Sequence, residues 1–204
     1  GQRVQPDEKY LIKLDWNITD EHRLAVKYQK TEGENPNVGN FDDGGETALN
    51  SHFYTQIREE TFYSAQLYSR WSNVFETEIS FGYNRYRQPT TFDQLTPQVF
   101  IDNFPVDDGV AGSYDATGSG ELFYGTEQFR HANNLEVDTY NFSAVADYYA
   151  GDKTYSFGVD FEDTSFSNLF LESSFGNFGF DNLEDFFAGT LSGSSRYNYR
   201  NTGV

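Results

Sequence analysis

Two acidic, glycine-bearing stretches are where this sequence could hold a cation. Asp42-Asp43-Gly44-Gly45-Glu46 and Asp107-Asp108-Gly109 set carboxylates beside flexible turns. A hard cation such as Ca2+ takes several such oxygens at once. Asp42, Asp43, Glu46, Asp107 and Asp108 are the candidate ligands, but neither stretch has the spacing of an EF-hand, and solvated acidic loops are the plainer reading. His22, His52 and His131 are far apart and form no H-x-x-x-H pair, so no histidine zinc site is expected. Glu76 with Glu78, and Asp160 with Glu162, lie two apart and face the same way on a strand, so the carboxylates of a glycosidase pair are available there. One polar face of a strand accounts for both pairs more simply. The sequence has no nucleophile elbow, P-loop or dinucleotide fingerprint. With Cys at 0 there is no thiolate chemistry either. No catalytic residue, cofactor or firm metal site is expected, and the chain reads as a non-enzyme.

The residues that remain are aromatic. Phe numbers 20 and Tyr 15 in 204 residues, and aromatics make up 18%. Three short alternating stretches carry many of them. In KYLIKLDWNIT, Tyr10, Ile12, Leu14 and Trp16 share one parity and Leu11, Lys13, Asp15 and Asn17 the other. That is the period-two signature of a strand with one apolar face. The chain turns at Asp20-Glu21-His22 and returns with Leu24, Val26 and Tyr28 on the apolar side. The second pair sets Tyr63, Ala65, Leu67 and Trp71 against a return of Phe75, Ile79, Phe81 and Tyr83, with the turn at Ser72-Asn73. The third sets Tyr140, Phe142, Ala144, Ala146 and Tyr148 against Tyr155, Phe157, Val159 and Phe161, with the turn at Gly151-Asp152. Hairpins are therefore expected over 9–30, 54–87 and 134–166.

The connections between them are of another kind. Residues 32–51, 88–134 and 167–195 are rich in Gly, Pro, Asn and Asp and hold no sustained period. A short helix is expected near 182–188, with Asp181 as N-cap and Gly189 as stop. Tight turns at one end and long loops at the other are the plan of an outer-membrane barrel, with the turns in the periplasm and the loops outside. The strands also exceed the usual five or six residues of soluble proteins, as a membrane crossing requires. Tyr and Trp lie near the strand ends and aliphatic residues between them, the pattern of aromatic girdles around an apolar band. The fold class is thus all-β: an antiparallel up-and-down meander of about six strands, part of a transmembrane β-barrel. The predicted lipid-facing residues are Tyr10, Ile12, Leu14 and Trp16; Leu24, Val26 and Tyr28; Leu67, Trp71, Phe75, Ile79, Phe81 and Tyr83; Tyr140, Phe142 and Tyr148; and Tyr155, Phe157, Val159 and Phe161.

Composition agrees with that reading. Lys plus Arg number 14 against 32 Asp plus Glu, a formal net charge of −18. Such a chain is a poor partner for a phosphate backbone, so no nucleic acid is expected. Disorder fits badly with so many aromatics. No apolar run is long enough for a membrane helix. The mean hydropathy of −0.69 is no objection to a membrane, because alternating strands average out. Met is 0 and Gly stands first, so a piece of a longer protein is expected.

Two stretches resemble a known family. KLDWNITDEHRLAVKYQ is similar to a barrel hairpin of TonB-dependent outer-membrane receptors. YSFGVDFEDTSFSNLFLESSFGNFGFDNLEDFFAG resembles the Oar-like subgroup, whose barrels follow a carboxypeptidase-regulatory-like domain. The resemblance implies a barrel of about 22 strands, an N-terminal plug, and uptake of a scarce ligand driven through TonB. These residues contain no TonB box and no plug, so they read as one portion of such a barrel. The implied setting is the outer membrane of a Gram-negative bacterium. The implied partners are its lipid bilayer, the remainder of the barrel and plug, the TonB complex through that plug, and an unidentified extracellular ligand. Loop aromatics such as Phe53, Tyr54, Phe100, Phe123 and Phe129 would either grip that ligand or pack the loops together; Phe41, Phe92, Phe104, Tyr114 and Tyr124 belong to the same set. Two alternatives stay open at this point: a soluble extracellular carbohydrate-binding module or glycosidase, and a porin or structural outer-membrane protein independent of TonB.

Overall fold

The structure, a computed structural model, describes residues 5–38, 46–106 and 115–195. Six long strands form one open antiparallel sheet: β1 (Asp7–Asn17), β2 (His22–Asn37), β4 (Tyr54–Ser72), β5 (Phe75–Thr91), β8 (Asn133–Ala150) and β9 (Lys153–Phe170). A second sheet contains β3 (Glu46–Ala48), β6 (Gln98–Val106), β7 (Asp115–Tyr124) and β10 (Asn177–Phe180). One helix, α1 (Leu183–Ala188), follows β10.

The large sheet is a meander in which each strand pairs with the next long one. Its register sorts the side chains into rows. Leu14, Val26, Ala65, Phe81, Phe142 and Phe161 are successive partners across all six strands. The next row on the same face runs Trp16, Leu24, Leu67, Ile79, Ala144 and Val159. On the other side of the Leu14 row stand Ile12, Tyr28, Tyr63, Tyr83 and Tyr140. The tyrosine rings lean on one another, with centroids 5.1 Å apart for Tyr28–Tyr63, 6.2 Å for Tyr63–Tyr83 and 4.8 Å for Tyr83–Tyr140. Beyond the tyrosines the same face turns charged, with Lys30, Arg85 and Asp138, then Glu32, Glu59, Arg87 and Glu136. Toward the turns, Phe75, Tyr148 and Tyr155 close the apolar band.

This face covers no core. Ile12 is 66% exposed, Leu14 59%, Val159 63% and Phe161 62%. Among the described residues the buried apolar side chains lie elsewhere: Ile101 in β6, Phe180 in β10, and Leu171 just after β9. The opposite face of the large sheet is polar, with Lys13, Lys27, Ser64, Gly82, Asn141 and Glu162 in one row. Two of the aromatics on that face have cationic partners. Lys27 sits 4.6 Å over the Phe62 ring and Arg23 4.5 Å over Tyr68, contacts that favour an aromatic beside a basic strand.

Short turns join the strands at one end. Thr19 Oγ1 accepts from the Glu21 and His22 N–H groups and closes the first. Ser72 Oγ accepts from Val74 N–H in the second, beside a bulge at Trp71. That bulge lets the indole donate to Thr77 Oγ1 and meet the His22 ring edge-on at 5.0 Å. Gly151, at φ +64°, forms the third.

The long connections at the other end are not the irregular loops that their composition predicts. They weave the small sheet, in the order β10-β6-β7-β3. The middle pair is antiparallel, and the two outer pairs, β10 with β6 and β3 with β7, are parallel. β3 comes from the β2–β4 connection, β6 and β7 from the β5–β8 connection, and β10 from the segment after β9. β3 and β10 pair with strands of another connection, so no local alternation marks them. Gly179 in β10 lies against the Phe100 ring, where a Cβ would stand 2.2 Å from it. The N-cap of α1 is Asn182 rather than the expected Asp181. Asn182 Oδ1 accepts from Asp185 N–H at 2.8 Å, one residue later, while Gly189 stops the helix at φ +72° as expected.

Candidate functional site

The small sheet caps one end of the large one and is held by polar side chains as much as by Ile101. Gln98, Gln128 and Asn177 form a closed ring of amides. Gln98 Oε1 accepts from Gln128 N–H at 2.7 Å, Gln98 Nε2 donates to Asn177 Oδ1 at 3.2 Å, and Asn177 Nδ2 donates to Gln128 Oε1 at 2.6 Å. Thr126 Oγ1 accepts from Thr96 N–H at 2.9 Å and donates to the Gln94 carbonyl at 2.7 Å. These groups are buried and satisfied, which makes the cap one cooperative polar network.

His131 is its most informative member. Nε2 lies 3.0 Å from the Thr126 carbonyl, and Nδ1 accepts from Phe175 N–H at 3.1 Å. That pair of contacts specifies the neutral ring with its proton on Nε2. Burial pushes the imidazole below its ordinary value, against the opposing hydrogen bond to Thr126. The unfolded ring, with an ordinary value of 6.5, therefore takes up a proton before the folded one does. Cap stability is complete above about pH 6.5 and falls as the pH drops below it. Amide protection in β6 and β10, taken relative to the intrinsic exchange rate at each pH, is expected to fall between about pH 7 and pH 5, and His131→Asn to flatten that dependence. A wild-type profile flat across this range would contradict the neutral buried ring.

A cavity of about 300 Å3 opens where the β2–β4 and β5–β8 connections meet, lined by Glu46, His52, Tyr54, Phe123, Glu127 and Arg130. The Glu127 carboxylate accepts from Phe129 N–H at 3.1 Å and pairs with Arg130 Nε at 3.2 Å. The Arg130 guanidinium lies 5.3 Å over the Tyr54 ring. Burial raises the Glu127 carboxyl, opposed by those same contacts. His52 Nδ1 meets the Gly125 carbonyl at 3.2 Å, its ring 5.5 Å from Phe123, and burial lowers its basicity. Aromatic faces with one guanidinium and two carboxylates suit a polar ligand held by stacking and hydrogen bonds.

The other loop aromatics mostly hold the cap together. Phe100 stacks on Phe123, Tyr124 meets Phe186, and Phe129 stacks on Phe170. Phe41 and Tyr114 lie outside the described residues, as do Asp42, Asp43, Asp107 and Asp108. Glu46 begins β3 beside Glu121. Among the described residues no three His, Asp or Glu groups converge on a metal position. The carboxylate pairs are not brought together either: Glu76 and Glu78 lie on β5, Asp160 and Glu162 on β9, and β8 runs between them. The amide ring and the histidine of the cap carry no sequence signal, because their partners come from distant segments.

A family model described as an outer membrane beta barrel domain matches residues 1–203. The chain belongs to that family. The six-stranded meander is therefore barrel wall, and the protein resides in the outer membrane. No curated protein matches the sequence. Among solved structures, the outer membrane transporter YddB from Escherichia coli is similar over 86% of this chain and 21% of its own, at 12% identity and a TM-score of 0.49. A likeness at that level carries no argument beyond the family. The chain spans about a fifth of that transporter's length.

Proposed function

We propose that this barrel wall belongs to a TonB-dependent receptor of the Oar-like type that captures an extracellular ligand and passes it inward without bond chemistry of its own. The observation that carries this reading is the unlike build of the two ends: three tight turns at one, and at the other a woven cap with a cavity of about 300 Å3. On this reading the cap faces outside and the turns at Asp20, Ser72 and Gly151 face the periplasm. The apolar rows, from Phe75 and Tyr148 up to Tyr83 and Tyr140, face lipid, with Trp71 and the tyrosines as girdles. Ligand meets Tyr54, Phe123 and Arg130 in the cap, then descends the polar face once the plug is displaced. The open edges of β1 and β9 pair with the remaining strands, since an unpaired edge in a bilayer leaves backbone groups unsatisfied. The bare apolar face speaks against the soluble carbohydrate-binding alternative, because a secreted module would have to cover it.

The remaining rival is a porin that needs no energy. Full-length protein, solubilised in detergent, is expected to retain the purified periplasmic domain of TonB on a column, and retention is expected to vanish when the first residues of the plug are removed. Full-length protein that fails to retain it supports the porin and defeats TonB dependence.

A further inference from the structure

The tyrosine row is the border of the apolar band, and what stands just beyond it is specific. Arg85 and Arg87 are on the same face of β5 as Tyr83, one and two register rows further toward the cap. Each has a carboxylate within reach of charge but not of a hydrogen bond. Arg85 Nη2 and Arg87 Nε lie 3.7 Å from Glu136, and Arg85 Nε lies 3.7 Å from Asp138. Both carboxylates are already engaged. Asp138 accepts from the Tyr83 hydroxyl at 2.5 Å, and Glu136 from Asn134 Nδ2 at 3.1 Å. The Nε–H groups of both arginines are shut off from solvent and have no acceptor. A guanidinium N–H without an acceptor is costly, and the rest of each side chain, 39% exposed for Arg85 and 40% for Arg87, stays open to an anion.

A cavity of about 260 Å3 stands in front of these groups, lined by Glu59, Thr61, Tyr63, Tyr83, Arg85 and Arg87. Directly toward mid-membrane lies a groove of about 340 Å3 over Leu14, Val26, Tyr63, Ala65 and Phe81. It exists because Val26 and Ala65 are small residues set between Leu14 and Phe81 in the same row. Tyr63 borders both spaces. The Arg85 row and the Ala65 row are four residues apart, about 14 Å along the strand. That spacing matches an anionic headgroup at the interface with the first part of an acyl chain below it. Guanidinium groups suit a phosphate, which offers several acceptor oxygens.

We propose that Arg85 and Arg87, together with the groove over Val26 and Ala65, bind one phosphorylated lipid of the outer leaflet, phosphate at the arginines and acyl chain in the groove. The proposal rests on the apolar face meeting lipid and on the cap facing outside, and is independent of TonB. Glu59 lines the same cavity and opposes an anion, so it sets a limit on affinity.

The test uses full-length protein purified in detergent micelles doped with lipid A, with retained lipid counted by native mass spectrometry. Wild type is expected to retain one lipid A after dilution, and to retain lipid A treated with phosphatase at least tenfold less. Arg85→Gln/Arg87→Gln is expected to lower retention at least tenfold. Ala65→Phe fills the groove with no change of charge and is expected to do the same. Glu59→Gln is expected to raise it. Equal retention by wild type and the arginine double variant overturns the proposal, as does equal retention of the phosphatase-treated lipid. Displacement of lipid A by inorganic phosphate at equal concentration also overturns it, because the site would then hold a free anion and no lipid. Melting of each variant is followed in parallel. If Ala65→Phe does not fold, Ala65→Leu replaces it.

Discussion

Arginine in place of Ile79 is expected to lower the stability of the full-length barrel in lipid by about 2–4 kcal/mol. Ile79 stands on β5 midway between Phe75 and Tyr83, the two ends of the apolar band, about 14 Å of strand from each. Its row partners are Leu67 on one side and Ala144 on the other, so nothing in that row can pair with a cation. A guanidinium there is held at mid-depth, where its desolvation costs most. Ser80→Arg is the control. Ser80 points to the opposite face, where Gln66 and Ser143 are its neighbours, and the change is expected to be small. Urea unfolding of both variants in vesicles measures the difference. A cost near zero for Ile79→Arg would reverse the faces or take this row out of the bilayer, and the lipid site with it.

Truncating Ile101 to Ala is expected to cost the cap about 2–5 kcal/mol. Ile101 is 2% exposed, the most buried of the apolar side chains described, and sits in β6 between β7 and β10. The cap has little other apolar core, so the cavity left behind is not readily filled. The loss is expected as faster amide exchange in β6, β7 and β10, with β4 and β5 unchanged. Equal acceleration in β4 and β5 would mean that cap and wall unfold as one unit.

The wall was legible in the sequence because a membrane strand writes its environment into every second residue. Tyr10 to Trp16, and Tyr140 to Tyr148, alternate with single breaks at Leu11 and Val145, and the register sets the even-numbered positions of both stretches on one apolar face. Strand ends were less legible. β2 continues to Asn37 and β5 to Thr91, where the chain has left the apolar band and alternation no longer carries meaning. The cap was opaque. β3 has three residues and β10 four, too few for a period to show. Its amides hydrogen-bond across segments that only the fold brings together, so Gln98, Gln128 and Asn177 look like any loop residues in the sequence. Asp181 and Asn182 are equally good caps on paper, and the choice between them depends on one residue of backbone geometry. Arg85 and Arg87 were visible as residues, but their position one step past a tyrosine row emerges only from pairing β4, β5 and β8.

The parallel pairings of the cap have a consequence for the order of events during biogenesis. Gln98 meets Asn177, and Glu46 meets Glu121, across long stretches of chain. In a free chain each of those closures carries a loop-entropy cost, and the pairs formed are too short to offset it. Once the hairpins are zipped into the wall, the roots of all three connections are already held side by side, and most of that cost has disappeared. The cap is then a late product of wall assembly. Its cavity comes into being only on a barrel whose strands are already in place, so a half-assembled wall lacks it.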